Sequence, residues 1–330
     1  MIPSEKKKFK TLILVLSFST LIMVVKFIAW RFTGSNAILS DAFESIVNVV
    51  AGSFAVFSIY YSSQPRDENH PYGHGKMEFV AAGFEGGLVL IASLLMIYNA
   101  IKGFFHPGEI KSLDIGLWIT LITGSLNFFM GQFLVRYAKQ ENSLLLKAEG
   151  KHLLTDTWSS LALALGLAII HFTQMLWIDN ALALVFGLFI LKEGFKIFRE
   201  SLNHLLDEAD YHQLKKIVQA LQESRKTEWI DIHNLRIIKY GSRLHVDAHL
   251  TLPWYNNLED SHRQVTDLES SIKEKIGHNV EFFIHTDPCI PPISCQICKL
   301  VQCKERKSPF MKEIEWDLKS ILPDAKHRAD

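Results

Sequence analysis

Six stretches in the first two hundred residues are apolar enough, and long enough as helix, to cross a bilayer, and this limits the fold more tightly than any other feature. They fall at about 10–32, 36–62, 77–104, 113–137, 143–171 and 176–199. A hydrocarbon core offers no partner to a free N–H or C=O, so each stretch must be helical. Several carry polar residues and are not plain anchors. Lys6, Lys7, Lys8 and Lys10 precede the first stretch, as in a secretory leader. Leu12 to Phe32 is too long for a leader core, however, and no small-residue cleavage site follows, so it reads as an uncleaved span.

Lysine and arginine placement sets the expected orientation. Basic residues cluster at the N-terminus, at Arg66 and Lys76, at Arg136, Lys139 and Lys147, and at Lys192, Lys196 and Arg199. The opposite loops are poorer: 33–35 and 172–176 have none, and only Lys102 and Lys111 lie near the third stretch. Both termini are therefore expected in the cytoplasm, with the protein integral to an inner- or plasma-type membrane and solvated by lipid. The apolar share of 48% averages an apolar first part with a polar last 130 residues, which points to two kinds of domain. The net charge is zero and no large basic face is evident, so no nucleic acid is expected as a partner.

The expected organisation is an all-α six-helix transmembrane transport domain at 1–202, a cytoplasmic α+β domain at 203–288, and a Cys-rich tail at 289–330. In the second domain, 210–223 and 258–276 have the spacing of amphipathic helices. Residues 229–239 and 279–285 have strand character. Residues 243–252 alternate, with Leu244, Val246, Ala248, Leu250 and Leu252 on one face and Arg243, His245, Asp247, His249 and Thr251 on the other. The order helix, strand, strand, helix, strand predicts an α+β sandwich. Pro291 and Pro292 open the tail as irregular, and a short amphipathic helix is expected near 308–321.

The second stretch carries Asp41, Glu44 and Asn48, and the fifth carries Glu149, His152 and Asp156. Glu44 and Asn48 share a helix face at i, i+4, as do His152 and Asp156. An ionised side chain at bilayer depth costs about 2.5–3.5 kcal/mol on insertion scales, so these groups need a compensating partner. A divalent cation would supply one: Glu44 and Asp156 offset its charge, and neutral His152 with the Asn48 carbonyl completes four ligands. Interhelical hydrogen bonding is the structural alternative. The loop after the second stretch gathers Asp67, His70 and His74, either as metal ligands or as solvated loop residues. Glu85 lies inside the third stretch, where snorkelling or a helix contact explains it as well as a functional role does, and Asn127 in the fourth stretch reads as structural.

Several ordered motifs resemble the cation diffusion facilitator family. They are Ser35-Asn-Ala-Ile-Leu-Ser-Asp41, His70-Pro-Tyr-Gly-His-Gly-Lys76, Ala148-Glu-Gly-Lys-His-Leu-Leu-Thr-Asp156, Asp179-Asn-Ala-Leu-Ala-Leu and Ile284-His-Thr-Asp-Pro288. The resemblance covers about residues 8–289. It implies a homodimer of six-helix protomers with a cytoplasmic metal-binding domain of ferredoxin-like, metallochaperone-like α+β fold, exporting ions such as zinc against inward proton flow. The family's fifth-helix pair matches as His152 and Asp156. Its second-helix pair is usually Asp or His followed by Asp, and here Glu44 and Asn48 stand instead, so zinc, manganese, ferrous iron and cobalt all remain candidates. The family's loop site maps onto Asp67, His70 and His74, and its soluble-domain site onto His233, His249, His262, His285 and Asp287.

Cys289, Cys295, Cys298 and Cys303 lie beyond the family pattern. In a reducing cytoplasm they favour metal over disulfides, with structural zinc expected and free thiols or an iron–sulfur cluster as alternatives. The expected function is proton-coupled efflux of a divalent transition metal. A membrane-anchored metal sensor or scaffold, and an iron–sulfur redox protein, are the other classes; no enzyme motif stands out.

Overall fold

The computed structural model describes residues 3–33, 36–105, 114–173, 177–241, 243–277 and 279–329, with some helical side chains, those of Asp41 and Glu44 among them, outside the description. The chain forms two compact units, Met1–Leu206 and Asp207–Asp330.

The first unit is six helices: α1 Pro3–Thr33, α2 Asn36–Ser62, α3 Met77–Phe105, α4 Asp114–Glu141, α5 Leu144–Thr173 and α6 Trp177–Leu205. The shortest has 27 residues, about 40 Å at the α-helical rise, enough to span a bilayer. Among the described residues, Glu5–Ile28 and Met77–Phe105 are apolar enough to qualify as spans by composition alone. Rows of large apolar side chains, such as Leu21, Leu94, Tyr98, Phe129 and Val185, stand exposed on the helices as lipid-facing residues do.

The helices pack mainly as α1 with α2, α3 with α6, and α4 with α5. Glycine permits the closest crossings. A Cβ on Gly86 of α3 would lie 2.8 Å from the Phe198 backbone nitrogen of α6. A Cβ on Gly150 of α5 would lie 2.9 Å from both Leu134 Cβ and Val135 N of α4. Small residues at such crossings let backbones approach where no hydrophobic effect drives helices together. At one end of the bundle, buried Lys8 of α1 lies 3.4 Å from Glu78 of α3, whose other oxygen accepts from Ser143 Oγ at 2.8 Å. Lys147 of α5 donates to Glu200 of α6 at 2.6 Å.

The second unit has α7 Tyr211–Ser224, β1 Asp231–Tyr240, β2 Arg243–Leu252, α8 Leu258–Ile276, β3 Val280–Pro288 and α9 Leu318–Ile321. The sheet order is β1-β2-β3, with β1 antiparallel and β3 parallel to β2. This is one strand short of the full βαββαβ ferredoxin-like unit among the described residues. Asp210 caps α7 and Asn257 caps α8, each accepting from the backbone of the first turn. Leu214, Ile217, Leu221, Leu268 and Ile272 of the helices bury the sheet face formed by Ile232, Val246, Ala248, Leu250 and Phe282.

The tail departs from the expectation of a helix over about 308–321. Only Leu318–Ile321 is helical, capped by Asp317. The residues before it are drawn straight because they are bonded outward. Met311 N donates to Gln296 O, Arg225 donates to Ile314 O, and Trp316 N donates to Gln222 Oε1. Trp316 and Ile321 lie in the sheet core, so the end of the chain packs against the same unit as the strands.

Candidate functional site

In the first unit α2, α3 and α5 bring one polar group together. Asn48 Nδ2 donates to Asp156 Oδ2 at 2.6 Å, and His152 Nε2 lies 2.9 Å from Asn48 Oδ1 and 3.7 Å from Asp156 Oδ1. His152 Nδ1 meets Glu85 Oε1 of α3. Glu85 is 2% exposed, Glu149 4% and His152 8%. The charged neighbours of Glu149 are Glu85, His152 and Asp156, and its Oε2 has no hydrogen-bond partner among the described residues. The expected ligands Asn48, His152 and Asp156 are thus in contact. Glu44 belongs to α2, but its side chain lies outside the described residues.

Glu85 is the group that sequence reasoning left aside. Its one signal was an ionisable residue within an apolar helix, and only the packing of α3 beside α5 gives it a partner. Asn127, left aside with it, is buried in α4.

The loop between α2 and α3 holds a second group. His70 Nδ1 lies 2.9 Å from Asp67 Oδ1, and His74 Nε2 lies 3.3 Å from Asp67 Oδ2. The two imidazole rings are 4.3 Å apart, and Tyr61 packs edge-on against His74. Asp67 Oδ1 also accepts from the His70 backbone N–H at 2.7 Å, closing a turn that aims both rings at the carboxylate. Slight burial raises the Asp67 carboxyl, but hydrogen bonds from His70 outweigh it and hold the group below its ordinary range. Asp67 and His70 are exposed and His74 is buried.

The second unit holds a third group, built by strand register. His233, His249 and His285 form one row across the sheet, and Asp231, Thr251 and Asp287 form the row two residues further along, on the same face. His249 Nδ1 lies 3.2 Å and His233 Nε2 3.5 Å from Asp287 Oδ2. The ring of His285 is 4.8 Å from that of His249, but its own nitrogen is 3.8 Å from Asp287 and its side chain is mostly exposed. His262 stands exposed on α8, outside this group. Asn234, at φ 54°, marks a break in register between His233 and Arg236. Such a bulge re-aims side chains, and Asn234 Nδ2 lies 3.3 Å from His249 Nε2.

Three partners of this group were not expected. Asp231 Oδ2 is 3.4 Å from His233 Nδ1, and Asp231 Oδ1 pairs with His327. Burial pushes the Asp231 carboxyl up, but hydrogen bonds from His233 and His327 prevail and hold it at about 2. The same Asp231 contact raises His327. Lys326 Nζ lies 3.6 Å from Asp287 Oδ1. Nothing local in the sequence links residues nearly a hundred positions apart. Among the described residues, Asp67/His70/His74 and His233/His249/Asp287 are the groups of three whose ligand atoms all lie within 4.8 Å of one another.

The four cysteines are free thiols around one cavity of about 10 Å³. Burial raises the Cys289 and Cys298 thiols above their ordinary range.

Residues 12–206 match the cation efflux transmembrane domain, and residues 206–289 match the cytoplasmic domain of cation efflux proteins. Similar proteins include an uncharacterized transporter of Synechocystis sp., 29% identical over 275 residues that cover 83% of this chain and 88% of the relative. The cation-efflux pump FieF of Shewanella oneidensis is 24% identical over 268 residues, covering 81% and 89%. FieF of Escherichia coli K12 is 25% identical over 285 residues, covering 83% and 90%. The two domain matches run in the order of the two units and contain the three His-containing groups, and on that evidence the chain is a transporter rather than an enzyme and belongs to the cation diffusion facilitator family of divalent-cation efflux proteins.

Proposed function

We propose that this protein exports a divalent transition metal, zinc first with manganese, ferrous iron and cobalt as the other candidates, in exchange for protons. It acts as a homodimer in an inner- or plasma-type membrane with both termini in the cytoplasm. Glu44, Asn48, His152 and Asp156 take the ion at mid-bundle. Asp67, His70 and His74 form a cytoplasmic loop site. His233, His249 and Asp287, with His285 at the edge and His262 as an outlying member, bind cytoplasmic metal and set activity.

The hydrogen bonding of His152 carries this reading. An ionised Asp156 only accepts, so Asn48 must turn its amide nitrogen toward it. That leaves Asn48 Oδ1 facing His152 Nε2, while the Glu85 carboxylate faces Nδ1. Both ring nitrogens face acceptors, which suits an imidazolium. A metal ion needs the lone pair of Nε2, so it must displace a proton, and a returning proton must displace the metal. The nearby carboxylates Glu85, Glu149 and Asp156 are costly to leave ionised in a membrane without cations, and exchange of metal for protons keeps them compensated. Rocking of the helices around a fixed site would then alternate access.

The test is reconstitution in proteoliposomes with a panel of divalent ions, while reporting dyes follow metal and internal pH together. Metal entry coupled to proton exit, abolished in Asp156→Ala that still inserts and folds, is the expected result. Normal flux in that variant would remove the site assignment, and metal flux without proton movement would remove the exchange.

A further inference from the structure

We infer that Cys289, Cys295, Cys298 and Cys303 bind one zinc ion as a tetrathiolate, and that this ion fixes the C-terminal segment against the cytoplasmic unit. The site lies outside both domain matches but for its first residue, since they end at residue 289. It would hold its ion whether or not the membrane unit transports.

The cysteine-bearing loop is ordered with little core of its own. Between the end of β3 and the start of α9 the one regular element is a 3-10 turn, Ser294–Gln296. Its apolar contacts are few: Ile297 and Cys298 against Ile230, with Cys289, Leu300 and Ile314 at the margin. A loop this long and polar needs a cross-link to pay its ordering entropy, and the thiols form no disulfide.

Hydrogen-bond donors surround the sulfurs. Trp254 N–H donates to Cys289 Sγ at 3.4 Å, and Lys307 N–H donates to Cys295 Sγ at 3.5 Å. The Leu300 backbone N–H points at Cys298, two residues behind it, and Tyr255 Oη lies 3.6 Å from Cys303 Sγ. Donors around metal-bound sulfur orient the ligands and spread their charge. Arg306 donates to the carbonyls of Cys295, Cys298 and Leu300, all at 2.9 Å, and so shapes the Cys-x-x-Cys turn. Four thiolates on a divalent ion leave two negative charges. Residues 299–307 carry Lys299, Lys304, Arg306 and Lys307 against Glu305 alone.

The four cysteines line one cavity of about 10 Å³, room for about one water-sized sphere and so for a single ion. No three of the four sulfurs lie within 4.8 Å of one another, so the shell closes by rotamer changes of side chains that already line the same space. Tetrahedral sulfur ligation is the zinc preference. Beyond the loop the chain returns to the histidine row, where Lys326 Nζ donates to Pro288 O at 3.1 Å and His327 meets Asp231.

The full chain in detergent tests this by elemental analysis, thiol titration with and without a chelator, and cobalt substitution. The double variant Cys295→Ser/Cys298→Ser is compared with His233→Ala. The native protein should hold zinc with its four thiols protected until chelator is added, and cobalt should give sulfur-to-metal charge-transfer bands. The cysteine variant should lose about one zinc per chain and the bands, as a four-sulfur site requires, while His233→Ala keeps the bands. Four freely reacting thiols in the native protein and no cobalt–sulfur band would overturn the site. Iron with acid-labile sulfide would overturn zinc in favour of a cluster. Should the cysteine variant fail to fold, chelator-dependent thiol protection in the native chain decides alone.

Discussion

Glu85→Gln isolates the role of the carboxylate that touches His152. The substitution keeps the shape of the side chain and leaves an acceptor for Nδ1–H, but removes the charge at a position only 2% exposed. A charged hydrogen bond contributes about 1.5–3 kcal/mol and a neutral one about 1 kcal/mol, so roughly 0.5–2 kcal/mol of support for the His152 ring is lost. That corresponds to about a 2- to 30-fold weaker apparent affinity for the transported ion, overlapping the 10- to 100-fold effects of altering groups that orient metal-binding histidines. Proton competition should change as well. The imidazolium loses its counter-charge, so inhibition of transport by acid should set in at lower pH. The assay is initial-rate metal flux in proteoliposomes over a range of metal concentrations and pH, with membrane insertion and melting temperature as controls. A structural role alone would lower stability and leave half-saturation and pH profile in place. Wild-type values for both in a correctly folded Glu85→Gln protein would refute the positioning role.

Other substitutions probe the remaining groups. Asn48→Asp places a second carboxylate against Asp156, 2.6 Å from the present amide nitrogen. It should raise affinity for both metal and protons, and an unchanged ion panel and pH profile would show that Asn48 is not a ligand. Gly150→Ala brings a Cβ to 2.9 Å from the α4 backbone, an overpacking worth about 1–3 kcal/mol. Its melting temperature in detergent should fall by several degrees, whereas Gly87→Ala, whose Cβ meets nothing within 4 Å, should cost nothing. His249→Ala removes a ring nitrogen 3.2 Å from Asp287 and should cut metal binding by the cytoplasmic unit about 10-fold or more. Equal binding by calorimetry would take His249 out of the site.

The tail shows where local pattern misleads. Residues 308–321 have amphipathic spacing, but Arg225 donates to the carbonyl of Ile314 and Gln222 accepts from the amide of Trp316, so long-range partners meet backbone groups that a helix would have bonded internally. The cytoplasmic histidines show another limit. The resemblance placed five residues in one set, whereas strand pairing groups His233, His249 and Asp287, leaves His285 at the edge, and leaves His262 on α8. Asp231 and His327 meet only because the chain end folds back, and no periodicity reports on such a contact.

What the sequence determined by itself follows from constraints local along the chain. A bilayer leaves a long apolar segment no choice but helix, so six helices were readable from composition and length. Alternation at 243–252 set a strand, and the i, i+4 spacing put His152 and Asp156 on one face. What only the tertiary structure decided is which faces meet. Helix rotation and crossing brought Glu85 to His152 and Asn48 to Asp156, and a one-residue bulge at Asn234 set the histidine register. These depend on packing between segments far apart in sequence, where many small contacts and close glycine crossings fix the geometry that no single segment encodes.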